Sequence, residues 1–258
     1  MIDQFDDHQA MRGFSPATRE RRRWTLTTFT REVDLLSASS ADVEAFVGRM
    51  PAPASRRAVL SDLRQFFHWA IAHNLADDDP TKGLASIKVP TRHARPLSTV
   101  DLARAIAASR TGLRVAIMLG AYAGLRVSEI ASIEWRDVHA DRGVLVVRDG
   151  KGGKDRKVPL ARELADALDQ LARRPDGRVI GTTGSNVSQR IRQHFRRLDI
   201  DHRPHDTRAT FGTQVASKYD IVTAQRLLGH TSVATTQAYL GWTPDASDAL
   251  DGLYDDAA

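Results

Sequence analysis

The stretch from Pro204 to Leu240 reads PHDTRATFGTQVASKYDIVTAQRLLGHTSVATTQAYL. His205 and Arg208 are three positions apart, so on a helix they project from one face. An imidazole and a guanidinium placed together can serve a phosphodiester as proton shuttle and charge clamp. His230 and, nine positions later, Tyr239 follow. Because a phenol attacks at neutral pH only when cations remove its proton or stabilise its oxyanion, this stretch predicts a phosphate-handling site.

A further cationic group lies upstream, where an apolar run ends at Gly124. Arg126 stands between Leu125 and Val127, surroundings that suit a solvated role less well than those of most arginines in the chain. Glu129 follows three positions later and could orient the guanidinium. An ordinary helix ion pair would leave the same pattern, so the pair alone does not indicate catalysis.

An alternating stretch farther along predicts a β-hairpin. Residues 143–149, GVLVVRD, alternate as a strand, and residues 156–160, RKVPL, form the returning strand. The glycine-rich turn between them carries Lys151 and Lys154. Lysines on loops are usually only solvated, and the pattern leaves open whether both of these lysines share one role.

These motifs occur in the order and rough spacing of one known family. The chain resembles the tyrosine recombinases, also called phage-type integrases, in the motifs His205-Asp206-Thr207-Arg208, Leu227-Leu228-Gly229-His230, Thr235-Thr236-Gln237-Ala238-Tyr239, Ala123 to Ile130, and Gly150 to Lys154. One departure is Ala209, which stands where the family commonly has another histidine. Tyr219 and Tyr254 lack the flanking motif and are interpreted as structural.

The resemblance implies a role for each matching residue. The two arginines stabilise the charge on phosphorus, the second histidine adds a donor, and the tyrosine attacks the phosphate. The first histidine accepts the tyrosine's proton, and the lysine, matched to the first of the turn, protonates the departing 5′ oxygen. The implied catalytic set is Arg126, Lys151, His205, Arg208, His230 and Tyr239, with Glu129 in support.

The resemblance also implies a fold and an activity. The expected fold is mainly α, with a helical core-DNA-binding domain over residues 1–87, a basic linker over 88–97, and a catalytic domain with a small antiparallel sheet over 98–258. The expected activity is site-specific recombination through a 3′-phosphotyrosyl intermediate and a Holliday junction, in the integration or excision of a phage or mobile element. The alternatives are Xer-like dimer resolution, relaxation of DNA by a type IB topoisomerase-like enzyme, and a non-catalytic DNA-binding protein.

The same resemblance implies the partners. They are double-stranded DNA target sites, a homotetramer assembled on DNA, and an accessory protein that sets direction. The phosphotyrosyl ester keeps the bond energy, so neither a nucleotide cofactor nor a metal is expected. A metal site at His202, His205 and His230 would compete with this interpretation, but the sequence has no HExxH motif and no paired acidic cluster to complete it.

Cap signals and apolar spacing predict the helices. Ser15 followed by Pro16 begins a helix over residues 16–33, with Trp24, Leu26, Phe29 and Val33 as apolar anchors. Further helices are predicted over residues 41–50, 55–73, 98–108, 113–122, 161–174 and 185–198. Residues 1–14 show no apolar repeat and are expected to be loosely ordered. The aromatics of the third helix, Phe66, Phe67 and Trp69, are expected in the core rather than against bases.

Arginines supply most of the positive charge and are the candidate DNA contacts. They crowd three of the predicted helices and the linker, although each run could be only a solvated face. The candidate DNA contacts are Arg19, Arg22, Arg56, Arg57, Arg64, Arg92 and Arg190.

Composition favours some classes of protein and excludes others. The 258 residues carry 37 basic and 32 acidic side chains, a net charge of +5 that favours a polyanionic partner. The absence of cysteine excludes disulfides, thiolate metal sites and cysteine nucleophiles. No stretch is long and apolar enough to span a membrane, and the acidic, polar start does not resemble a signal peptide. A soluble, cytoplasmic protein is expected.

Overall fold

The computed structural model describes residues 1–90, 95–150 and 154–229, without the side chains at positions 149, 150 and 154. The chain divides into two compact units, residues 1–91 and residues 92–258, and each has its own hydrophobic core. The division falls inside the basic stretch predicted as a linker. Within the described part of the chain, no helix combines the length and the apolar character needed to cross a bilayer.

The first unit is helical. The Ser15 side chain accepts the N–H of Thr18 at 3.3 Å, so one helix begins at its predicted cap. Ser39 and Asp42 form a capping box, which was not predicted from the sequence, at the start of the next helix. The helices are α1 (Ile2–Met11), α2 (Pro16–Phe29), α3 (Ser40–Gly48) and α4 (Pro53–Ala72).

Helix α4 supplies three of the aromatic side chains of this core. Phe66 and Phe67 are fully buried and Trp69 is nearly so. The prediction that these side chains pack in the core is therefore confirmed. An aromatic side chain buries about 150–250 Å² of surface, so these three rings contribute much of the hydrophobic stabilisation of a unit this small.

The prediction that residues 1–14 are loosely ordered is wrong. Ile2–Met11 form α1, in which Phe5 is 3% exposed. The Phe5 ring centroid lies 5.5 Å from that of Phe66 and 5.2 Å from that of Trp69. Because these partners lie on α4, far away in the sequence, the short stretch shows no apolar repeat of its own.

Two of the candidate DNA-contact arginines on α2 are engaged inside the unit. Arg19 donates to both carboxylate oxygens of Asp6, at 2.9 and 2.6 Å. Arg22 is 8% exposed, donates to Gln9 at 2.7 Å and lies 3.6 Å from Asp62. Arg22 is thus a buried structural residue, and the structure does not support its predicted contact with DNA.

The neighbouring arginines of α2 also have acidic partners. Arg21 donates to Asp62 at 2.6 Å, and Arg23 donates to Asp3 at 2.5 Å. Asp62 is almost fully buried and also accepts a hydrogen bond from Thr25 at 3.1 Å. Its pKa lies above the ordinary aspartate value because burial outweighs these donors.

Trp24 was predicted as a core anchor, and that prediction is wrong. Its side chain is 54% exposed, whereas Leu26 and Phe29 of the same helix are fully buried. The buried stripe of α2 runs through Arg22, Thr25, Leu26 and Phe29, at helical spacing. Trp24 lies off this stripe.

The second unit is centred on α6 (Thr111–Ala123). Its residues from Val115 to Ala121 are all buried, which is typical of a helix surrounded by other elements. It ends at the predicted Gly124, which adopts the left-handed conformation with φ of 65°. The other helices are α5 (Thr99–Ala107), α7 (Val127–Ser132), α8 (Arg162–Asp169), α9 (Gly184–Arg197), α10 (Pro204–Lys218) and α11 (Ile221–Leu228).

Helix α8 is shorter than the helix predicted over residues 161–174. It ends at Asp169, and Arg173 beyond it lies over the ring of Trp135, 5.0 Å from the centroid. Because Trp135 is far away in the sequence, this contact favours a non-helical backbone after Asp169.

The predicted hairpin is present and belongs to a small antiparallel sheet. Its strands, in the order β1-β2-β3, are β1 (Val138–His139), β2 (Val144–Gly150) and β3 (Lys154–Pro159). Leu145 pairs with Val158, and Val147 pairs with Arg156. Paired residues share one face of a sheet, so Arg156 lies on the face of the buried Val147. A mainly helical fold with one small antiparallel sheet is confirmed.

A glycine lets α10 approach α6 closely. A Cβ atom at Gly120 would lie 2.2 Å from Oγ1 of Thr207 and 3.0 Å from its Cβ. The Thr207 hydroxyl is itself held, because it donates to the carbonyl of Pro204 at 2.8 Å. Since α10 carries His205 and Arg208, the close contact between Thr207 and Gly120 determines where both side chains lie.

Replacing Gly120 with alanine is therefore expected to destabilise the fold. Overpacking of this kind typically costs about 1–3 kcal/mol, which thermal or chemical unfolding would detect. Gly112→Ala is the matched control in the same helix, because a Cβ there meets no heavy atom within 4 Å. This control is expected to be neutral or to stabilise by up to about 1 kcal/mol. Equal effects of the two variants would contradict the prediction.

Candidate active site

Arg126 lies at the junction of α6 and α7. The left-handed Gly124 turns the chain there, and a Cβ on it would lie 2.5 Å from a ring atom of Phe211. The backbone N–H of Arg126 donates to Glu129 Oε2 at 2.8 Å, and its Nη1 donates to Glu129 Oε1 at 2.8 Å. The side chain is about a quarter exposed, so its guanidinium is oriented by Glu129 and still reaches the surface.

Glu129 is the acidic centre of the site. Its residue is 7% exposed, and Arg156 donates to both carboxylate oxygens, at 2.9 and 2.7 Å. Burial by itself would raise the pKa of Glu129. The hydrogen bonds from Arg156 and Arg126 outweigh burial and lower the pKa to about 2. Glu129 is therefore ionised at neutral pH and holds the surrounding guanidiniums in place.

The first turns of α10 carry His205 and Arg208. The helix is capped by Asp206, whose carboxylate accepts the N–H of Arg203 at 2.8 Å. Part of His205 is open to solvent, but the surrounding protein removes enough water to lower its pKa below the ordinary histidine value. The positive charges of Arg208 and Arg126 lower the pKa of His205 further. The imidazole is therefore neutral at pH 7 and can accept a proton.

Arg208 is the most buried charged side chain of the site, at 1% exposure. Its Nη2 donates to the carbonyl of Leu228 at 2.7 Å, its Nη1 donates to the carbonyl of Gly124, and the same Nη1 lies 3.8 Å from Glu129 Oε2. Arg208 thus joins the end of α6, the start of α7 and the end of α11, and places a fixed positive charge among them.

Arg156 belongs to this site, although sequence reasoning assigned it no function. Besides its two bonds to Glu129, its Nε donates to the carbonyl of Leu227 at 3.0 Å. The strand pattern contained a signal for it, because Arg156 and the buried Val158 alternate onto one face of β3. A charged residue on the buried face of a strand needs a partner, and here that partner is Glu129.

The structure brings together four of the seven residues that the sequence assigned to the site. Arg126 and Arg208 approach opposite oxygens of Glu129, and His205 is close enough to both arginines for their charges to shift its pKa. Three other predicted catalytic residues lie outside the described residues: Lys151, His230 and Tyr239.

The remaining candidate DNA contacts are divided between the two units. Arg57 and Arg190 are exposed, on α4 and α9 respectively. Arg56 donates to the carbonyl of Met50 at 2.8 Å, and Arg64 donates to that of Leu84, so both also have structural roles. Arg92 lies outside the described residues.

Metal ligands are not grouped near these residues. Across residues 1–90, 95–150 and 154–229, histidine and acidic side chains nowhere gather in threes as metal ligands would. The site consists of guanidiniums, one carboxylate and one imidazole, a donor set suited to a phosphate oxyanion.

Comparison with known proteins identifies the family. Residues 97–244 match the model of the Phage integrase family. The chain is also 34% identical to the tyrosine recombinase XerD of Ralstonia nicotianae over 236 residues, which cover 81% of this chain and 74% of that protein.

The fold is similar to that of lambda integrase. A lambda integrase dimer bound to a COC′ core site aligns with a TM-score of 0.76 at 20% identity, covering 95% of this chain and 78% of that one. A lambda integrase tetramer bound to a Holliday junction aligns with a TM-score of 0.73 at 19% identity, covering 90% and 76%. At these identities the likeness shows the fold alone.

The family match spans more than half of the chain and the XerD relative extends beyond it, in agreement with the clustered guanidiniums around Glu129. The chain therefore belongs to the phage integrase family and is a tyrosine recombinase, an enzyme that cuts and rejoins DNA at specific sites.

Proposed function

We propose that this chain cleaves DNA by attack of a tyrosine on a phosphate held between two arginines. The main support for this proposal is that Arg126 and Arg208 meet at the Glu129 carboxylate although they are far apart in the sequence. Their distances to its oxygens are 2.8 and 3.8 Å. The proposed catalytic residues are Arg126, Lys151, His205, Arg208, His230 and Tyr239.

The two guanidiniums stabilise the charge that develops on phosphorus. Attack on a phosphodiester passes through a pentavalent phosphorus with added negative charge, and preorganised cations lower the energy of that state. Arginine suits this role because it remains charged at any working pH. Glu129 and the helix-end carbonyls hold both guanidiniums before DNA arrives, so little reorganisation is needed during the reaction.

The proton transfers use the other groups. His205 is the acceptor of the Tyr239 proton, and the low pKa of His205 supports this role because it keeps the imidazole neutral at pH 7. Lys151 donates a proton to the departing 5′ oxygen, and His230 adds a donor to the phosphate. The DNA 3′ phosphate then forms an ester with Tyr239 that retains the bond energy, so rejoining needs no nucleotide cofactor.

The DNA complex is proposed as a tetramer that joins two duplex sites through a Holliday junction. Two observations support this: the net charge of +5 and the similarity in fold to a lambda integrase tetramer on such a junction. The helical unit of residues 1–91 is proposed as the core-DNA-binding domain, with the exposed Arg57 as a phosphate contact. An accessory protein that sets direction stays a prediction.

The test is covalent capture of DNA. Wild-type protein is incubated with a pool of nicked duplexes whose central sequence is randomised, because a nick next to the cut traps the covalent intermediate. The expected result is a protein–DNA adduct that enriches one sequence, forms in the presence of a metal chelator, and carries its phosphate on Tyr239 by peptide mass spectrometry. No adduct, or an adduct on another residue, would refute the proposed mechanism.

The enriched sequence then separates the possible roles. A plasmid with two copies of that site is expected to give recombinant products. Relaxation of supercoils without recombinants would select the topoisomerase-like alternative, and binding without cleavage would select a non-catalytic DNA-binding protein. Integration or excision of a mobile element remains our proposal for the biological role, with Xer-like dimer resolution as the alternative. Attachment-like repeats beside the gene would favour the former.

A further inference from the structure

The C-terminal end of α11 is held by two guanidiniums. The last carbonyls of a helix have no partner within the helix, and this end carries partial negative charge. Arg156 Nε donates to the carbonyl of Leu227 at 3.0 Å, and Arg208 Nη2 donates to the carbonyl of Leu228 at 2.7 Å. Cations therefore satisfy the two final carbonyls of the helix, next to the point where the chain continues to His230.

Arg156 joins its own strand to two other elements with one planar group. From β3 it donates through both Nη atoms to Glu129 on α7 and through Nε to Leu227 on α11. Its side chain is 9% exposed, so solvent has little access to these bonds. A guanidinium can make this set because its donors form a rigid fork, whereas a lysine ammonium is a single point charge.

The next residue of the chain is fitted to the same side chain. Gly229 follows α11 in the left-handed conformation, with φ of 64°. A Cβ atom there would lie 3.0 Å from Cδ of Arg156. The backbone at Gly229 thus passes directly over Arg156, one residue before the predicted catalytic histidine.

We infer that Arg156 is a positioning residue, which fixes Arg126 through Glu129 and fixes the exit of the chain from α11 toward His230 and Tyr239. The inference rests on the proposed function. Arg156 also lies on the strand that follows the turn bearing Lys151, so one side chain couples the lysine hairpin to the arginine and histidine segments. Arg156 does not touch the scissile phosphate in this scheme and acts only through these neighbours.

The first test compares Arg156→Gln with a matched control, Arg148→Gln. Arg148 lies on the neighbouring strand β2 and pairs with Asp137, a carboxylate that is also buried, but it has no bond to Glu129. Each variant removes one arginine from a buried acid, so both lose some thermal stability. Single-turnover cleavage of the nicked duplex is expected to slow by about 10–100-fold in Arg156→Gln, because small misplacements of catalytic groups have effects of this size. Arg148→Gln is expected to cleave within about threefold of wild type.

DNA binding provides the second readout. A positioning role predicts that Arg156→Gln binds the duplex within about threefold of wild type while its cleavage rate falls, since the lost contacts orient reacting groups rather than hold DNA. Arg156→Lys keeps the positive charge, but a single ammonium cannot donate to both Glu129 oxygens and to the Leu227 carbonyl in the geometry that the guanidinium adopts. It is expected to fold and still to cleave at least tenfold more slowly than wild type, and it serves as the test if Arg156→Gln does not fold.

The pH profile is the third readout. Glu129 is faced by Arg126 at the start of its own helix, by Arg156 from β3 and by Arg208 from α10. Burial raises the pKa of Glu129, and Arg156 is the largest opposing cause, so removing Arg156 raises that pKa. The cleavage rate of Arg156→Gln is therefore expected to fall at a higher pH on the acidic side than that of wild type. The acidic side of the Arg148→Gln profile is expected to match wild type.

The outcomes separate this inference from the proposed function. If wild type forms no adduct on Tyr239, the proposed function fails. If wild type is active and Arg156→Gln cleaves as fast as Arg148→Gln, the inference about Arg156 alone is overturned. It is also overturned if Arg156→Lys restores the wild-type rate, because a general positive charge would then suffice.

Discussion

Replacing Tyr239 with phenylalanine is expected to abolish the covalent protein–DNA adduct. The substitution removes one oxygen and keeps the ring, so it removes the nucleophile with little change in volume. Loss of a nucleophile lowers a catalysed rate by several orders of magnitude, and we expect cleavage of the nicked duplex to fall by at least about a thousandfold. DNA binding is expected to stay within about threefold of wild type. Gel detection of the adduct and a filter-binding assay measure the two quantities.

Two other tyrosines provide controls for this result. Tyr219→Phe and Tyr254→Phe remove the same oxygen from residues that lack the Gly-His and Thr-Thr-Gln motifs. The Tyr219 side chain is largely exposed, so its variant is expected to fold normally. Both variants are expected to form the adduct at the wild-type rate. If the adduct persists in Tyr239→Phe and disappears in one of the controls, the nucleophile is the tyrosine replaced in that control.

Replacing Arg208 with lysine is expected to reduce both cleavage and stability. The Arg208 guanidinium bonds the carbonyls of Gly124 and Leu228 at 1% exposure, and one ammonium cannot reproduce both bonds in that geometry. A buried acceptor left without its donor costs about 1–3 kcal/mol. Cleavage is expected to fall by on the order of 10²–10³, the usual cost of losing one donor to a transition-state oxyanion.

Arg114→Lys is the matched control for the Arg208 variant. Arg114 also bonds two carbonyls, those of Ile106 at 3.3 Å and Ser109 at 3.2 Å, but it lies in the first turn of α6, at the opposite end of that helix from Arg126. We expect it to lose some stability and to cleave at the wild-type rate. Unfolding and single-turnover cleavage are measured on both variants. If Arg208→Lys loses stability but cleaves like Arg114→Lys, Arg208 is only structural.

Local patterns in the sequence predicted the parts of the fold that depend on neighbouring residues. Ser15 caps α2 as its sequence context indicates, and Gly124 ends α6 in the left-handed conformation. The alternation of residues 143–149 and 156–160 predicted the hairpin of β2 and β3. The three-residue spacing of His205 and Arg208 placed both on the first turns of one helix. In each case the information lies within a few residues.

What the sequence did not predict depends on partners far away in the chain. Helix α1 is stabilised by Phe66 and Trp69 of α4, and Arg22 turns inward to Gln9, 13 positions before it. Arg156 meets Glu129 across 27 positions. No periodicity within a short window contains such pairs, because they arise only when separate elements pack together.

Within the site, sequence and structure contribute different parts. The family motifs identified Arg126, His205 and Arg208. The structure places both arginines at Glu129, and His205 lies close enough to them for their charges to lower its pKa. The motifs could not reveal that Arg208 is almost fully buried. They also could not reveal that it bonds backbone carbonyls, because every residue has a carbonyl whatever its side chain. The assignments of Lys151, His230 and Tyr239 still rest on the sequence.

The acidic partners of the α2 arginines affect how salt should act on the proposed DNA-binding unit. Each protein cation that reaches a DNA phosphate releases condensed counterions, and this release sets how steeply affinity falls with ionic strength. Arg19, Arg21 and Arg23 already face carboxylates, and the buried Arg22 faces Gln9 and Asp62. A cation that must first leave a carboxylate contributes less to that release. The number of arginines in this helix therefore overestimates how steeply the DNA affinity of this unit falls as salt concentration rises.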